Sequence, residues 1–161
     1  MGVYFDFFRA ENDEAAVRTR TFETGPLGPG PGQDAGIDGC ETKSVFPDPH
    51  LEILVALAAG VPYERGPWTS ERLWPPADTP PPVDEDSIWF TDPSIERLAT
   101  RLRDGLAAID EARAGELAAA WLPELGIGFT HEQVTVLVAE LGRFARRARQ
   151  AGQEIYCWSV L

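Results

Sequence analysis

The final stretch of the chain, from Thr130 to residue 161, constrains the fold more than any other part of the sequence. Thr130 can accept a hydrogen bond from the backbone of Gln133, whose side chain can reach back, as in a capping box. Apolar side chains then recur at helical spacing on one face, with Phe144 at its margin: Val134, Leu137, Val138, Leu141, Ala145 and Ala148. The pattern predicts a long amphipathic helix that ends at Gly152, where glycine can adopt the left-handed conformation of a helix stop.

A closing strand follows this helix directly. Residues 154–161 are rich in β-branched and aromatic side chains and are apolar on both faces, which is typical of a strand inside a sheet rather than at its rim. Residues 3–8 at the start of the chain are aromatic and have two apolar faces, so they also predict an inner strand. We therefore place the first and last strands in one sheet.

Between these strands the sequence predicts several helices. Asn12 can cap a helix that runs to about residue 22. The dipeptides Asp48-Pro49 and Asp92-Pro93 each read as a cap followed by proline in the first turn, and the helix that begins at Asp48 should end at Gly60. The helix after Asp92 has one apolar face, formed by Ile95, Leu98, Leu102, Leu106 and Ile109. A further short helix is predicted over residues 111–122, before Pro123.

Two stretches are rich in proline or glycine. Residues 25–39 form a Gly/Pro-rich loop, and a short strand is predicted within residues 36–46. Residues 61–92 form a long irregular loop with many prolines and aromatic side chains. The length of 161 residues is that of one ordinary domain. The sequence thus predicts a single α+β domain, with a small sheet that includes both terminal strands and is covered by helices.

The loop over residues 61–92 is the main candidate for a functional surface. Loops of this length in compact domains are usually functional or disordered, and aromatic content favours order. The candidate binding residues combine aromatic with acidic side chains: Tyr63, Trp68, Trp74, Trp89, Phe90, Asp84, Glu85 and Asp86. The aromatic residues can hold the loop on the core, form a protein-binding hot spot or line a ligand cleft.

The net charge of −12 limits the classes of partner. The acidic residues are concentrated in the front and middle of the chain, and residues 129–161 are slightly basic. Such a charge argues against nucleic acid and anionic membranes as partners. It is compatible with a basic protein partner or with solubility alone.

The compartment is inferred from features that the sequence lacks. No stretch approaches the roughly 20 apolar residues of a membrane span, and the N-terminus has no basic region typical of a signal peptide. The two cysteines, Cys40 and Cys157, are too few for a disulfide framework. Free thiols are expected, although a single bridge between them stays open. We expect a cytoplasmic protein.

Known catalytic motifs offer little support for an enzyme. Residues 25–32 superficially resemble a phosphate loop, but their prolines lack the N–H donors that such a loop needs. His131 lacks the second histidine of a zinc helix, and no Gly-x-Ser-x-Gly nucleophile motif is present. Lys43 is expected to be exposed rather than a Schiff-base lysine, since nothing local would depress its pKa. No cofactor or metal is predicted.

Three polar residues form an alternative site. His50 and Cys40 could act as a nucleophile pair if the fold brings them together, but a surface or capping role for His50 is the favoured interpretation. Asp6 lies on the aromatic first strand. It could face solvent at an edge, or it could be buried, in which case it must be paired or neutralised.

Three stretches of the sequence carry a resemblance to known proteins: the first ten residues, Trp74-Pro75-Pro76, and the ending from residues 145–149 through Tyr156-Cys157-Trp158. In these stretches the chain resembles a family of small uncharacterised proteins from high-GC bacteria. The ending is also similar, more weakly, to the YfbM-like domains of unknown function. The resemblance implies a single α+β domain and no particular chemistry.

These observations favour a non-catalytic interaction protein of the immunity or adaptor type. Its contact surface would be the acidic aromatic loop, and its partner a basic protein. The alternatives are a small-molecule-binding protein or enzyme with a pocket under the Trp-rich loop, and a structural domain within a larger assembly. The oligomeric state is not indicated.

Overall fold

The sheet at the centre of the computed structural model is built from both ends of the chain. The structure describes residues 4–65, 70–126 and 128–160. Within this part, five strands form one antiparallel sheet in the order β2-β1-β5-β4-β3. The strands are β1 (Tyr4–Ala10), β2 (Gly39–Lys43), β3 (Glu71–Trp74), β4 (Ser94–Arg97) and β5 (Glu154–Val160). The predicted α+β domain, with the first and last strands in one sheet, is confirmed. The structure adds that these two strands are direct neighbours.

Six α-helices accompany the sheet in the same described ranges. They are α1 (Asp13–Arg18), α2 (Glu52–Ala59), α3 (Ile88–Thr91), α4 (Thr100–Ala107), α5 (Ala114–Trp121) and α6 (His131–Gln150). The predicted capping box precedes α6, with the backbone N–H of Gln133 donating to Thr130 Oγ1 at 3.2 Å and that of Thr130 donating to Gln133 Oε1 at 3.0 Å. Gly152, which follows α6, has φ of +66°. Both ends of this helix are therefore where the sequence predicts them.

The main hydrophobic core lies on one face of the sheet. Phe5 and Phe7 of β1 and Ile155 of β5 point to this face, where they pack against residues from α2, α4, α5 and α6. Helix α6 contributes six of its apolar positions, all buried: Val134, Val138, Leu141, Phe144, Ala145 and Ala148. Phe144 thus belongs to the centre of the buried stripe rather than to its margin.

The opposite face of the sheet holds a second, smaller core. Phe8, Ile95 and Tyr156 are fully buried there. Helix α1 covers them together with the Gly/Pro-rich loop, which supplies the partly buried Leu27 and Ile37. Both strand faces are therefore covered over much of their length, as the apolar character of β1 and β5 predicts.

The two cysteines lie on the face of the main core, one on each side of Phe7. Cys40 of β2 and Cys157 of β5 both pair with Phe7 across the sheet. Two strand spacings, roughly 10 Å, separate them, which exceeds the Cα separation that a disulfide allows. Both are buried free thiols, so the bridge left open by the sequence is not formed.

The predicted helix start at Asp92-Pro93 is wrong. Residues Ser94–Arg97 form strand β4, and the helix begins only at Thr100, with Ala99 as its N-cap. Ile95 points to the second core opposite Trp158, whereas Leu98 belongs to the main core. Apolar residues spaced by three or four positions fit one helical face, but here a strand and a helix each use part of the pattern.

Two further predictions need correction. Asp48 has extended backbone angles (φ −110°, ψ 123°), and regular α-helix begins at Glu52 after an irregular turn over Pro47–Leu51. The helix does end at Gly60 as expected. Residues 61–92 are not irregular throughout, because they contain β3 and the short helix α3. Pairing with β4 turns residues 71–74 into a strand, and this long-range contact leaves little trace in the local pattern.

Asp38 fastens the Gly/Pro-rich loop to the body of the domain. Its carboxylate accepts a hydrogen bond from Arg9 of β1 at 2.7 Å and two from Arg147 of α6 at 2.8 and 2.9 Å. The hydrogen bonds from Arg147 are the main reason why the pKa of Asp38 lies below its usual range, and the single bond from Arg9 adds to the effect.

Replacing Asp38 by Asn should lower the free energy of unfolding by about 1 to 2 kcal/mol at neutral pH, because two arginines lose a half-buried anionic partner. The folded pKa lies below the unfolded value of about 3.8. The stabilisation is therefore complete above that value and disappears as the pH falls through the folded pKa. Urea denaturation of wild type and Asp38→Asn, at neutral pH and at pH values below about 3.8, measures the difference in the free energy of unfolding. Asn in place of the exposed Asp34, in the same loop, serves as a control and should change little; an equal loss in both variants would contradict the role of Asp38.

Candidate functional site

The ends of the loop formed by residues 75–93, here called the acidic loop, are joined by a hydrogen bond. Trp74 is the last residue of β3, and its indole N–H donates to Asp92 Oδ2 at 3.0 Å. Asp92 lies just before β4, which pairs with β3. The loop therefore leaves the sheet and returns to it at neighbouring points.

Trp89 fixes the middle of the acidic loop. Its indole N–H donates to the backbone carbonyl of Pro80 at 2.7 Å, and the guanidinium of Arg72 lies 4.9 Å from the centre of its ring. Ser87 caps the short helix α3 by accepting from the backbone N–H of Trp89. Through these contacts Trp89 ties one side of the loop to the other and to β3.

Arg20 holds Trp74 from the other side. The guanidinium carbon of Arg20 lies 4.4 Å from the centre of the Trp74 ring, which is a cation–π distance. Trp74 thus contacts Asp92 through its N–H and Arg20 through its ring face. Sequence reasoning named both tryptophans but missed their partners Arg20, Arg72 and Asp92, since no local pattern links residues so far apart in the chain.

The tip of the acidic loop is exposed. The exposed fraction is 90% for Val83 and 55% for Phe90. Asp84, Glu85 and Asp86 between them are also exposed, in a turn closed by the bond from Ser87 N–H to the Asp84 carbonyl. Trp89, Phe90 and the three acids therefore share the acidic loop, and Trp74 lies directly before it. The two tryptophans anchor the loop, and the other four side chains are exposed to solvent.

The acidic loop carries a concentrated negative charge. Residues 75–93 contain five acidic and no basic residues. None of the ion pairs in the described ranges involves Asp78, Asp84, Glu85 or Asp86. The loop therefore combines an ordered backbone with exposed carboxylates and two exposed apolar side chains.

Tyr63, one of the predicted binding residues, does not belong to the acidic loop. The Tyr63 hydroxyl donates to Glu52 Oε2 at 3.1 Å, so this tyrosine contacts the start of α2 rather than the acidic loop. Glu52 is itself buried, and burial raises its pKa while the bond from Tyr63 lowers it. Trp68 lies outside the described residues.

The alternative polar residues Asp6, His50 and Cys40 are not brought together. Asp6 and Cys40 point to opposite faces of the sheet, because Asp6 pairs with Glu41 and Cys40 pairs with the next residue of β1. His50 Nδ1 accepts from the backbone N–H of Phe46 at 3.1 Å. Burial raises the pKa of the Cys40 thiol to about 12, so that it stays protonated at neutral pH. The arrangement does not provide a thiolate–histidine pair.

Asp6 is buried, so the solvent-facing interpretation of this residue is wrong. Only 6% of Asp6 is exposed, on the sheet face where it pairs with Glu41 and Trp158. One carboxylate oxygen lies where a side chain on Gly25 would have to fit, and Gly25 has φ of +76°. Burial, and secondarily the charge of Glu41, raises the pKa of Asp6 to about 6. In the described part of the chain no arginine pairs with it.

Comparisons with known proteins assign no role to this site. No protein family, curated protein or solved structure matches this chain. Among the described residues, no group of three or more His, Cys, Asp or Glu side chains has the arrangement of a metal site. No helix in the described ranges has both the length and the apolar character that a membrane span requires.

Proposed function

We propose that the chain is a non-catalytic protein-binding module, of the adaptor or immunity type, that binds a basic partner through the acidic loop. The observation that supports this proposal best is the combination found at the loop tip. Val83 and Phe90 are exposed on either side of Asp84, Glu85 and Asp86, in a loop tied down by Trp74 and Trp89.

The anchoring of the loop favours binding because it reduces the entropy lost on association. A loop that is already ordered need not be immobilised by the partner, which preserves affinity. Phe90 supplies an aromatic side chain of the kind that is enriched at interface hot spots. The uncompensated carboxylates around it would attract a positively charged surface and repel an acidic one.

The charge and the thiols support two further parts of the proposal. The net charge of −12 opposes binding to nucleic acid, whose phosphates attract basic proteins. We place the protein in the cytoplasm, where reducing conditions keep buried thiols such as Cys40 and Cys157 free.

Affinity capture with matched variants tests the proposal. The triple variant Asp84→Asn, Glu85→Gln, Asp86→Asn should lose the retained basic partner from a source lysate by at least about tenfold, because steering and complementary charge are removed. The control Glu11→Gln, Glu23→Gln, Asp34→Asn makes the same change in net charge at exposed sites elsewhere and should retain the partner. Quantitative mass spectrometry of the eluates measures both.

The captured partner then allows a test of mechanism. With the purified pair, the association rate should fall steeply as salt is added, whereas Phe90→Ser should mainly raise the dissociation rate. Equal retention by both triple variants would contradict the assignment of the acidic loop. A retained partner that is acidic, or the absence of any stoichiometric partner, would contradict the proposed function.

A further inference from the structure

An open cleft of about 810 Å³ lies on the second face of the sheet, beside the anchor of the acidic loop but separate from its exposed tip. Helix α1, the turn that follows it and the Gly/Pro-rich loop form its walls, and β3 contributes Leu73. The volume falls in the range of small-molecule sites. Five apolar side chains that line it are only partly buried: Ala15, Val17, Phe22, Ile37 and Leu73.

Most of the charged groups that line the cleft are already paired. Asp13 accepts hydrogen bonds from the Tyr156 hydroxyl at 3.0 Å and from Arg97 at 2.6 Å. Glu14 forms an ion pair with Arg18 at 3.3 Å. These contacts compensate both carboxylates in the cleft and one of its two arginines.

Arg20 is the exception. It lines the cleft and is exposed, and none of the ion pairs within the described ranges involves it. Its guanidinium carbon lies 4.4 Å from the centre of the Trp74 ring, a contact that uses no hydrogen bond. The N–H groups of the planar guanidinium can therefore still donate to a carboxylate.

We propose that this cleft binds a small monocarboxylate with an apolar body. The carboxylate would pair with Arg20, and the apolar part would cover Phe22, Ile37 and Leu73. A single negative charge is favoured because the cleft offers one uncompensated cation and the chain as a whole carries −12. A ligand with several charges would be repelled by the rest of the protein.

This binding site is independent of the proposed protein partner, although Trp74 belongs to both regions. Its ring forms the cation–π contact with Arg20, and its N–H anchors the acidic loop through Asp92. The cleft can therefore be tested with the protein alone.

Titration with phenylacetate, followed by ¹H–¹⁵N NMR, tests the proposal directly. Shifts should concentrate at residues 15–37 and at Leu73, and they should saturate in the millimolar range typical of a small ligand with few contacts. Phenylacetamide has nearly the same shape without the charge, and it should bind at least about tenfold more weakly because it lacks a charge-assisted hydrogen bond.

Variants of Arg20 decide whether this residue recognises the charge. Arg20→Gln should weaken phenylacetate binding by at least about tenfold, and Arg20→Lys should have an intermediate effect because the charge stays but the planar fork is lost. Arg149→Gln makes the same change in net charge on α6 and should leave binding unchanged. Absence of saturable shifts, equal binding of phenylacetamide, or equal losses from Arg20→Gln and Arg149→Gln would each overturn the proposal.

Discussion

Replacing Asp6 by Asn should raise the free energy of unfolding by about 2 kcal/mol at neutral pH. The pKa of Asp6 is about 6 in the folded protein, against an ordinary value of 3.8. Each pKa unit corresponds to about 1.4 kcal/mol, so ionised Asp6 costs the folded state up to about 3 kcal/mol. The neutral amide avoids this cost but still places a polar group at a largely buried position, which reduces the gain.

The raised pKa of Asp6 also determines how the free energy of unfolding changes with pH. Between the ordinary value of 3.8 and the folded value of about 6, the folded state binds the Asp6 proton more strongly than the unfolded state does. The stability attributable to Asp6 therefore falls as the pH rises through this window, and the deficit is complete above it. Asp6→Asn should remove this fall.

Denaturant titrations of wild type and Asp6→Asn between about pH 4 and pH 8 measure the effect. The control Glu41→Gln removes the neighbouring charge that is the lesser cause of the raised pKa, so it should give a smaller gain. If the two stability profiles of wild type and Asp6→Asn run parallel across this range, Asp6 is not a strained buried acid.

Trp121→Ala should have the largest destabilising effect of the substitutions considered, about 3 to 5 kcal/mol. Trp121 is fully buried at the end of α5, where its indole N–H donates to the backbone carbonyl of His50 at 2.8 Å. The substitution leaves a large cavity between α5 and the turn before α2, and it leaves that carbonyl without its donor.

Trp121→Phe separates the two contributions, because it keeps most of the ring volume and loses the hydrogen bond. The free energy of unfolding of this variant should fall by only about 1 to 3 kcal/mol. Urea unfolding followed by circular dichroism measures both variants. A loss below about 1 kcal/mol for Trp121→Ala would show that α5 is not held through this side chain.

The elements that sequence analysis predicted correctly are those whose signals are local. Thr130, Gln133 and Gly152 define the ends of α6 through contacts within a few residues, and Asn12 caps α1 through the backbone N–H of Ala15. The double-sided apolar character of β1 and β5 correctly indicated inner positions, because a strand covered on both faces must be apolar on both.

The elements that were missed depend on contacts between distant residues. Ile95 lies in a strand because it pairs with Trp158 of β5. The residues around Asp92-Pro93 contain no local signal of this distant pairing. The aromatic and acidic residues of the acidic loop could be named from composition. Their division into anchors and exposed groups could not, since it depends on Asp92, Arg72 and the Pro80 carbonyl.

The position of β5 has a consequence for how the chain folds during synthesis. The sheet consists of two halves, β2-β1 and β4-β3, and β5 alone joins them. Each half can pair before β5 leaves the ribosome, but the inner edges of β1 and β4 stay without a partner until residues 154–160 emerge. Once residues 94–97 have emerged, the nascent chain exposes two open strand edges until residues 154–160 follow, and pairing of β5 with β1 and β4 then completes the sheet.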